Sequence, residues 1–318
     1  MMEQFSFIFY NTENFYDTID DPETMDDEFT PTGRLRWDER KFNDKLEKLT
    51  FLFQDIVKPS FPDIIGLAEI ENKNVMTCIL DNMRRHGMER YSFVHYDSPD
   101  ERGSDVAMIY NTQSFTVLES RPILVHLNGI EDRTRDILYV KGNTSFGETI
   151  HIYIVHFPSR REGREKSERR RNFAATLLHD AVYRVLNENP DENILIMGDF
   201  NDTPDDKSVA EVLGARKTVE NISSSQLYNL TYPRHKKGIG STFHKGWLLF
   251  DQFIVSGQML ISSKIDCRPE YADVFNPKYL LHFNKNGRPV TNRTYRSHYT
   301  GGFSDHLPIY LKIFVKEV

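Results

Sequence analysis

N-I-L-I-M-G-D-F-N-D-T-P runs from Asn193 to Pro204. Four apolar residues, Ile194 to Met197, lead straight into Gly198, Asp199 and Asn201. A short apolar run bounded by turn residues predicts a strand buried on both faces. An unpaired charge inside such a strand is costly. Asp199 is therefore expected where the strand ends, at the mouth of a sheet. Thr203, Pro204, Asp205 and Asp206 carry helix-start chemistry: a cap, a proline at the first position and acids in the first turn. The strand and this turn would hold Asp199 and Asn201 at the edge where open sheets bind ligands. Asp and Asn are also ordinary turn formers, so this stretch alone fits a plain strand with an Asx turn equally well.

Working outward, other predicted strands end in the same way. Phe5 to Tyr10 reads as a strand and runs into Asn11-Thr12-Glu13-Asn14. Asp63 to Ala68 delivers Glu69, and the strand Thr149 to Val155 delivers His156. Phe250 to Val255 carries Asp251 near its start. Ser304-Asp305-His306-Leu307-Pro308 precedes a last strand, Ile309 to Val315. Tyr91 to Tyr96, Asp105 to Tyr110, Phe115 to Leu118 and Ile137 to Lys141 supply further strands, several alternating as antiparallel pairs do. Between them Phe42, Leu46, Leu49, Phe53 and Ile56 recur at helical spacing, and Val75 to Arg85 reads as a second helix. Arg160 to Arg171 reads as a charged loop feeding a helix whose apolar face begins at Ala174.

Length and composition suit an ordinary globular chain of 318 residues. With no internal repeat and no low-complexity linker, a single domain over 1–318 is expected. A net charge of -7 argues against a general nucleic-acid coating protein while allowing a local basic face. Two distant cysteines, Cys78 and Cys267, build neither a disulfide framework nor a cysteine-based zinc site. A reducing, cytoplasmic setting is the simpler expectation. No secretory leader pattern opens the sequence, and no apolar run approaches membrane-spanning length. A monomer is expected.

The polar strand ends form a constellation: Asn11, Glu13, Glu69, His156, Asp199, Asn201, Asp251, Asp305 and His306. One such residue is usually a cap. Several together fit a site built on one sheet edge. Carboxylate and amide oxygens without a cysteine cluster suit Mg²⁺ or Mn²⁺. Histidines also serve zinc, but no two of these lie at helical spacing.

Six ordered segments, F-Y-N-T-E-N, G-L-A-E-I-E-N, H-F-P-S, G-D-F-N, L-F-D-Q-F-I-V-S and S-D-H-L-P, span residues 9 to 308. In this order they resemble the endonuclease/exonuclease/phosphatase superfamily, the DNase I-like enzymes, and most resemble a bacterial branch of it. The resemblance implies an α/β (α+β) fold, a four-layered α/β/β/α sandwich of two packed mixed β-sheets flanked by helices. It implies a Mg²⁺- or Mn²⁺-dependent phosphoesterase acting on a phosphate ester, nucleic acid among the candidates. Carried over by position, Glu69, Asn11 and Asp305 would serve the metal, with Glu13 a further ligand or an outer partner. Asp199 would orient or deprotonate water, and Asn201 would hydrogen-bond a phosphoryl oxygen. His306 would pair with Asp251, and His156 would face the phosphate.

A phosphodiesterase or nuclease is the leading expectation. Phosphomonoesters and cyclic or lipid phosphodiesters follow it. A non-catalytic phosphate- or nucleic-acid-binding module on the same fold is the alternative from another class. The W-C-D-R stretch of the superfamily's inositol-polyphosphate phosphatases is missing, for this chain has Leu248-Leu249-Phe250-Asp251-Gln252. Three basic runs adjoin the motifs: Arg160 to Arg171, Arg234 to Lys245 and Arg288 to His298. They suggest an electropositive rim, and Arg160 and Arg161, nearest the histidine motif, are the expected phosphate contacts.

Overall fold

The computed structural model describes residues 3–126, 134–160 and 163–316. In it Asn193–Asp199 is a strand, β8, with every residue buried. Its side chains alternate with the strand period. Leu195 and Met197 enter one apolar core, Ile194 and Ile196 another. An apolar run without polar alternation is thus what a strand between two cores requires.

Two sheets carry the chain. The first has seven strands. β1 (Gln4–Phe15) lies parallel to β2 (Ile64–Ile70) and antiparallel to the C-terminal strand Ile309–Val315. β4 (Asp105–Asn111) pairs with β2, and β3 (Tyr91–His95) closes that edge. The second has six, in the order β5 (Phe115–Ile123), β6 (Ile137–Thr144), β7 (Thr149–His156), β8, the strand Asp251–Ser256 and β9 (Leu227–Asn229). β7 and β8 are parallel and the other pairs antiparallel, so both sheets are mixed.

The sheets pack face to face, with Phe7, Phe9, Leu67, Ile152, Ile154, Leu195, Met197 and Phe253 in one buried cluster. Gly66 sits at a close approach of the layers, where an added Cβ would lie 2.8 Å from Met197 Cε. Helices α1 (Glu39–Ile56) and α2 (Lys73–Arg85) add Phe42, Leu46, Phe53, Val75 and Ile79 to the same cluster. Each begins on a side-chain cap, Asp38 accepting from Lys41 N and Asn72 from Val75 N. Helix α3 (Arg164–Glu188) covers the other face of the second sheet through Ala174, Leu178 and Val182. The result is the four-layered DNase I-like sandwich.

Two local expectations are corrected. Thr203 does not cap a helix. Its N–H and hydroxyl both donate to Asp206, and after a turn the chain makes one π-helical turn at Ser208–Val212. The charged run after His156 is largely helix, since α3 already starts at Arg164. Its inward side hides an arginine: Arg171 is fully buried, with Nε 2.8 Å from Asp202. Apolar periodicity misses a helical face that buries an ion pair instead of a leucine.

Candidate active site at the strand ends

Register brings the first three groups together. His156, Asp199 and Asp251 are paired neighbours across β7, β8 and the strand Asp251–Ser256, so they stand abreast at one sheet edge. Gly198 permits this spacing. A Cβ there would lie 2.2 Å from the Val155 carbonyl oxygen on β7, which is backbone and cannot swing aside.

The first sheet presents its groups through irregular backbone. Register shifts fall between Asn11 and Phe15 on β1 and between Ala68 and Ile70 on β2. Within them Glu13, Asn14 and Glu69 adopt left-handed φ values of 55°, 53° and 62°, and Asn201, in the bend after β8, has 49°. Such φ values are sparsely populated for non-glycine residues. Four of them around one edge mark backbone strain held by the surrounding structure. The bulges turn Glu69 out of the ladder, where its Oε2 accepts Asn14 N at 2.7 Å.

Asp199 lies at the centre and is 1 % exposed. Its Oδ1 accepts Asn201 N at 2.8 Å and its Oδ2 accepts Asn11 Nδ2 at 3.1 Å. His306 Nε2 and His156 Nε2 lie 3.7 and 3.6 Å from Oδ2. Burial raises its pKa to about 7, the cationic His306 pulls it down, and Asp251 pushes it back up. Near neutrality this carboxylate is poised to exchange a proton.

His306 Nδ1 sits 2.7 Å from Asp251 Oδ2. Burial lowers an imidazole's pKa, but Asp251 and Asp199 outweigh it and raise that of His306 well above its ordinary value. Asp199, Asp251 and His306 are close enough to suggest an ion between them. The protonated imidazole uses its Nδ1–H on Asp251 and offers no ligand there, so the trio is better read as a hydrogen-bonded charge cluster. Ser304 ties it to the first sheet, its Oγ donating to Asn11 O at 2.7 Å and accepting His306 N at 3.0 Å.

His156 has a neighbour that local sequence did not reveal. Arg135 is buried, with Nη2 3.0 Å from His156 Nε2 and Nη1 2.8 Å from Asp100. A guanidinium only donates, so in this contact the ring nitrogen accepts. Glu69 Oε1 lies 3.9 Å from the same nitrogen.

Glu13 is 1 % exposed and both its oxygens are occupied, Oε1 by Arg293 Nε and Oε2 by Thr294 N, each at 2.7 Å. Burial, then Asp305, raises its pKa to about 8, against the pull of Arg293 and Lys45. Arg293 reaches Asp305 Oδ2 as well, at 3.0 Å. Beneath them Lys45, buried on the inner side of α1, donates to Glu13 O at 2.7 Å.

The expected phosphate contacts fare differently. Arg160 Nε donates to Asn201 O at 2.7 Å, and Nη2 pairs with Asp202 and Asp206. Its guanidinium also lies over the Phe250 ring. The arginine is committed to the turn that carries Asn201. Arg161 lies outside the described residues. Of the remaining basic residues, Arg234 pairs with Asp273.

A sequence model described as the Endonuclease/Exonuclease/phosphatase family matches residues 6–315. The chain is 19 % identical over 242 residues to Protein angel of Drosophila melanogaster, covering 71 % of this chain and 61 % of that protein. It thus spans less than two thirds of that relative's length. TDP2 of D. rerio, crystallised with a single strand DNA product, superposes with a TM-score of 0.59 at 14 % identity, with 98 % of each chain covered. An endonuclease/exonuclease/phosphatase family protein of Bacteroides thetaiotaomicron gives 0.59 at 13 % identity over 100 % of both chains. At these identities the superpositions speak for the fold alone. Among the described residues no helix is long and apolar enough to cross a membrane.

Proposed function

Because the chain belongs to the endonuclease/exonuclease/phosphatase family, we propose that it is a phosphodiesterase of the nuclease type, dependent on Mg²⁺ or Mn²⁺, with residues 1–318 as one catalytic domain. The observation that carries this reading is the alignment of His156, Asp199 and Asp251 across three strands, with His306 bound to Asp251 and facing Asp199.

The donor set fits a hard divalent cation. Glu69 and Asp305 supply carboxylate oxygens with side-chain exposures of 12 % and 30 %, and Asn11 supplies an amide oxygen that accepts Glu13 N at 3.0 Å and keeps a second lone pair. Glu13 has both oxygens taken and supports this group instead, by holding Arg293 and the backbone of Thr294. A cation bound there would withdraw charge from the phosphoryl oxygens.

The chain's own residues do the rest. Asp199, with its pKa near neutrality, takes the proton of the attacking water as the water oxygen bonds phosphorus and the ester P–O bond breaks, the leaving alkoxide taking its proton from solvent. Its orientation is fixed by Asn11 and by the N–H of Asn201. His306, kept charged by Asp251, stabilises negative charge growing on phosphorus oxygens. Asn201 Nδ2 donates to Phe157 O at 2.9 Å and, over a longer 3.4 Å, to Asp199 Oδ2, and a phosphoryl oxygen beside Asp199 would compete for that second N–H. Arg135 adds charge beside His156.

The test is turnover of bis(4-nitrophenyl) phosphate, single-stranded and duplex DNA, RNA and 4-nitrophenyl phosphate, with Mg²⁺ or Mn²⁺ and with EDTA. Diester hydrolysis that stops in EDTA is expected. Hydrolysis that persists in EDTA, or cleavage of the monoester alone, would overturn the reading.

A further inference from the structure

Beside the carboxylates of the first sheet lies a cavity of about 300 Å³. It adjoins the catalytic edge directly. Its wall includes Asn14, whose N–H is on Glu69, and Arg293, which holds Asp305. Four arginines line it, Arg34, Arg102, Arg293 and Arg296, against two glutamates, Glu13 and Glu28. Arg34 is answered by Glu28, and Arg293 by Glu13 and Asp305. Arg296 is exposed and makes no ion pair with another described residue. The rest of the lining includes apolar and aromatic residues. Phe29 stacks on Tyr16 with ring centres 4.4 Å apart and keeps part of its surface in the cavity, and Met25 beside it is 64 % exposed.

Guanidinium groups together with rings and a thioether in one cavity select a ligand with two parts. Arginine recognises phosphate by paired donors. Met and Phe offer a surface to a flat ring. A cavity of this volume is at the lower end of small-ligand sites. A larger cavity, about 910 Å³, is lined by Asp21, Glu23, Asp97 and Glu101 among other acids, and would repel the same ligand. We propose that the arginine–aromatic cavity is a subsite for one nucleotide unit adjoining the scissile phosphate, with that unit's own second phosphate at Arg296 and its base against Phe29 and Met25. This rests on the phosphodiesterase reading for its place in a reaction. A substrate with a single phosphate and no further anion would leave Arg296 unused.

Calorimetry in EDTA tests the subsite without turnover. The probe is thymidine 3′,5′-bisphosphate, with thymidine and inorganic phosphate as separate arms. The bisphosphate is expected to bind the wild type at least roughly tenfold more tightly than either fragment, and roughly tenfold less tightly to Arg296→Ala, as loss of a charge-assisted hydrogen bond implies. Phe29→Leu should weaken it too, while Arg84→Ala, a control at an exposed position on α2, should not. Equal affinity of wild type and Arg296→Ala, or no binding by the wild type, overturns the subsite. The catalytic reading fails separately, if the wild type does not hydrolyse bis(4-nitrophenyl) phosphate with Mg²⁺ or Mn²⁺.

Discussion

His306 and Asp251 meet at 2.7 Å in a buried setting, and that one carboxylate does most to keep the imidazole charged. Asp251→Asn keeps a hydrogen-bond partner and removes the charge. Burial then dominates, and the His306 pKa should fall. In the wild type it stands above the unfolded value of about 6.5. The stability this contributes is therefore fully present below that value and lost as pH rises through the folded pKa. Asp251→Asn should be destabilised most in mildly acidic buffer, with the gap narrowing at alkaline pH. NMR titration of the His306 ring reads the shift directly, and an unmoved pKa would break this account.

Glu69→Gln keeps an oxygen for Asn14 N and loses the charge expected to face the cation. Diester turnover should drop by roughly a hundredfold or more, with circular dichroism unchanged. Wild-type rates in Mg²⁺ buffer would remove Glu69 from the metal set.

Arg160→Ala tests a positioning role. Removing one partner from buried carboxylates is strongly destabilising. Asp202 keeps Arg171 and Ser208, so a loss of about 3 kcal/mol is expected, the lower end for such breaks. The urea midpoint measures it. A raised KM with the midpoint unmoved would return Arg160 to direct substrate contact.

Glu71 gives a pH signature away from His306. Burial, with further pressure from Asp17, Asp26 and Asp21, raises its pKa to about 8. A carboxyl raised above its unfolded value contributes stability fully present below that value and lost as pH rises through the folded one. Glu71→Gln removes this dependence and can still accept Asp17 N. Urea unfolding should show the variant gaining on the wild type between pH 5 and 8, by up to about 1.4 kcal/mol per pH unit. A constant difference across that range would count against it.

What the sequence disclosed follows from the range of each interaction. The buried strand ending in Asp199 was legible because apolar runs and turn residues are local signals, and α1 was legible from its spacing. The partnership of His306 with Asp251 was not visible in spacing, since 55 positions separate them, and it came through the resemblance of ordered motifs. Arg135 was silent in Asp132-Arg133-Thr134-Arg135-Asp136, which looks like any charged loop. Only strand register sets it beside His156. Arg160 sounded like a substrate arginine because the acids that claim it, Asp202 and Asp206, lie on another segment. Lys45 interrupts the apolar face of α1, and nothing local says that it ends under Glu13.

The left-handed residues carry a consequence for protein engineering. Glycine takes such a conformation without steric cost. At Asn14 the backbone N–H, which is what Glu69 uses, would survive the change. Selection for heat tolerance alone should therefore admit glycine at this position, because the relief of a left-handed φ works against the extra freedom glycine gives the unfolded chain. The same substitution would free the bulge to sample other shapes, and Glu69 would lose its fixed aim. Variants recovered from a thermal screen should include glycine at this position in slower proteins, while a screen on turnover should retain the asparagine.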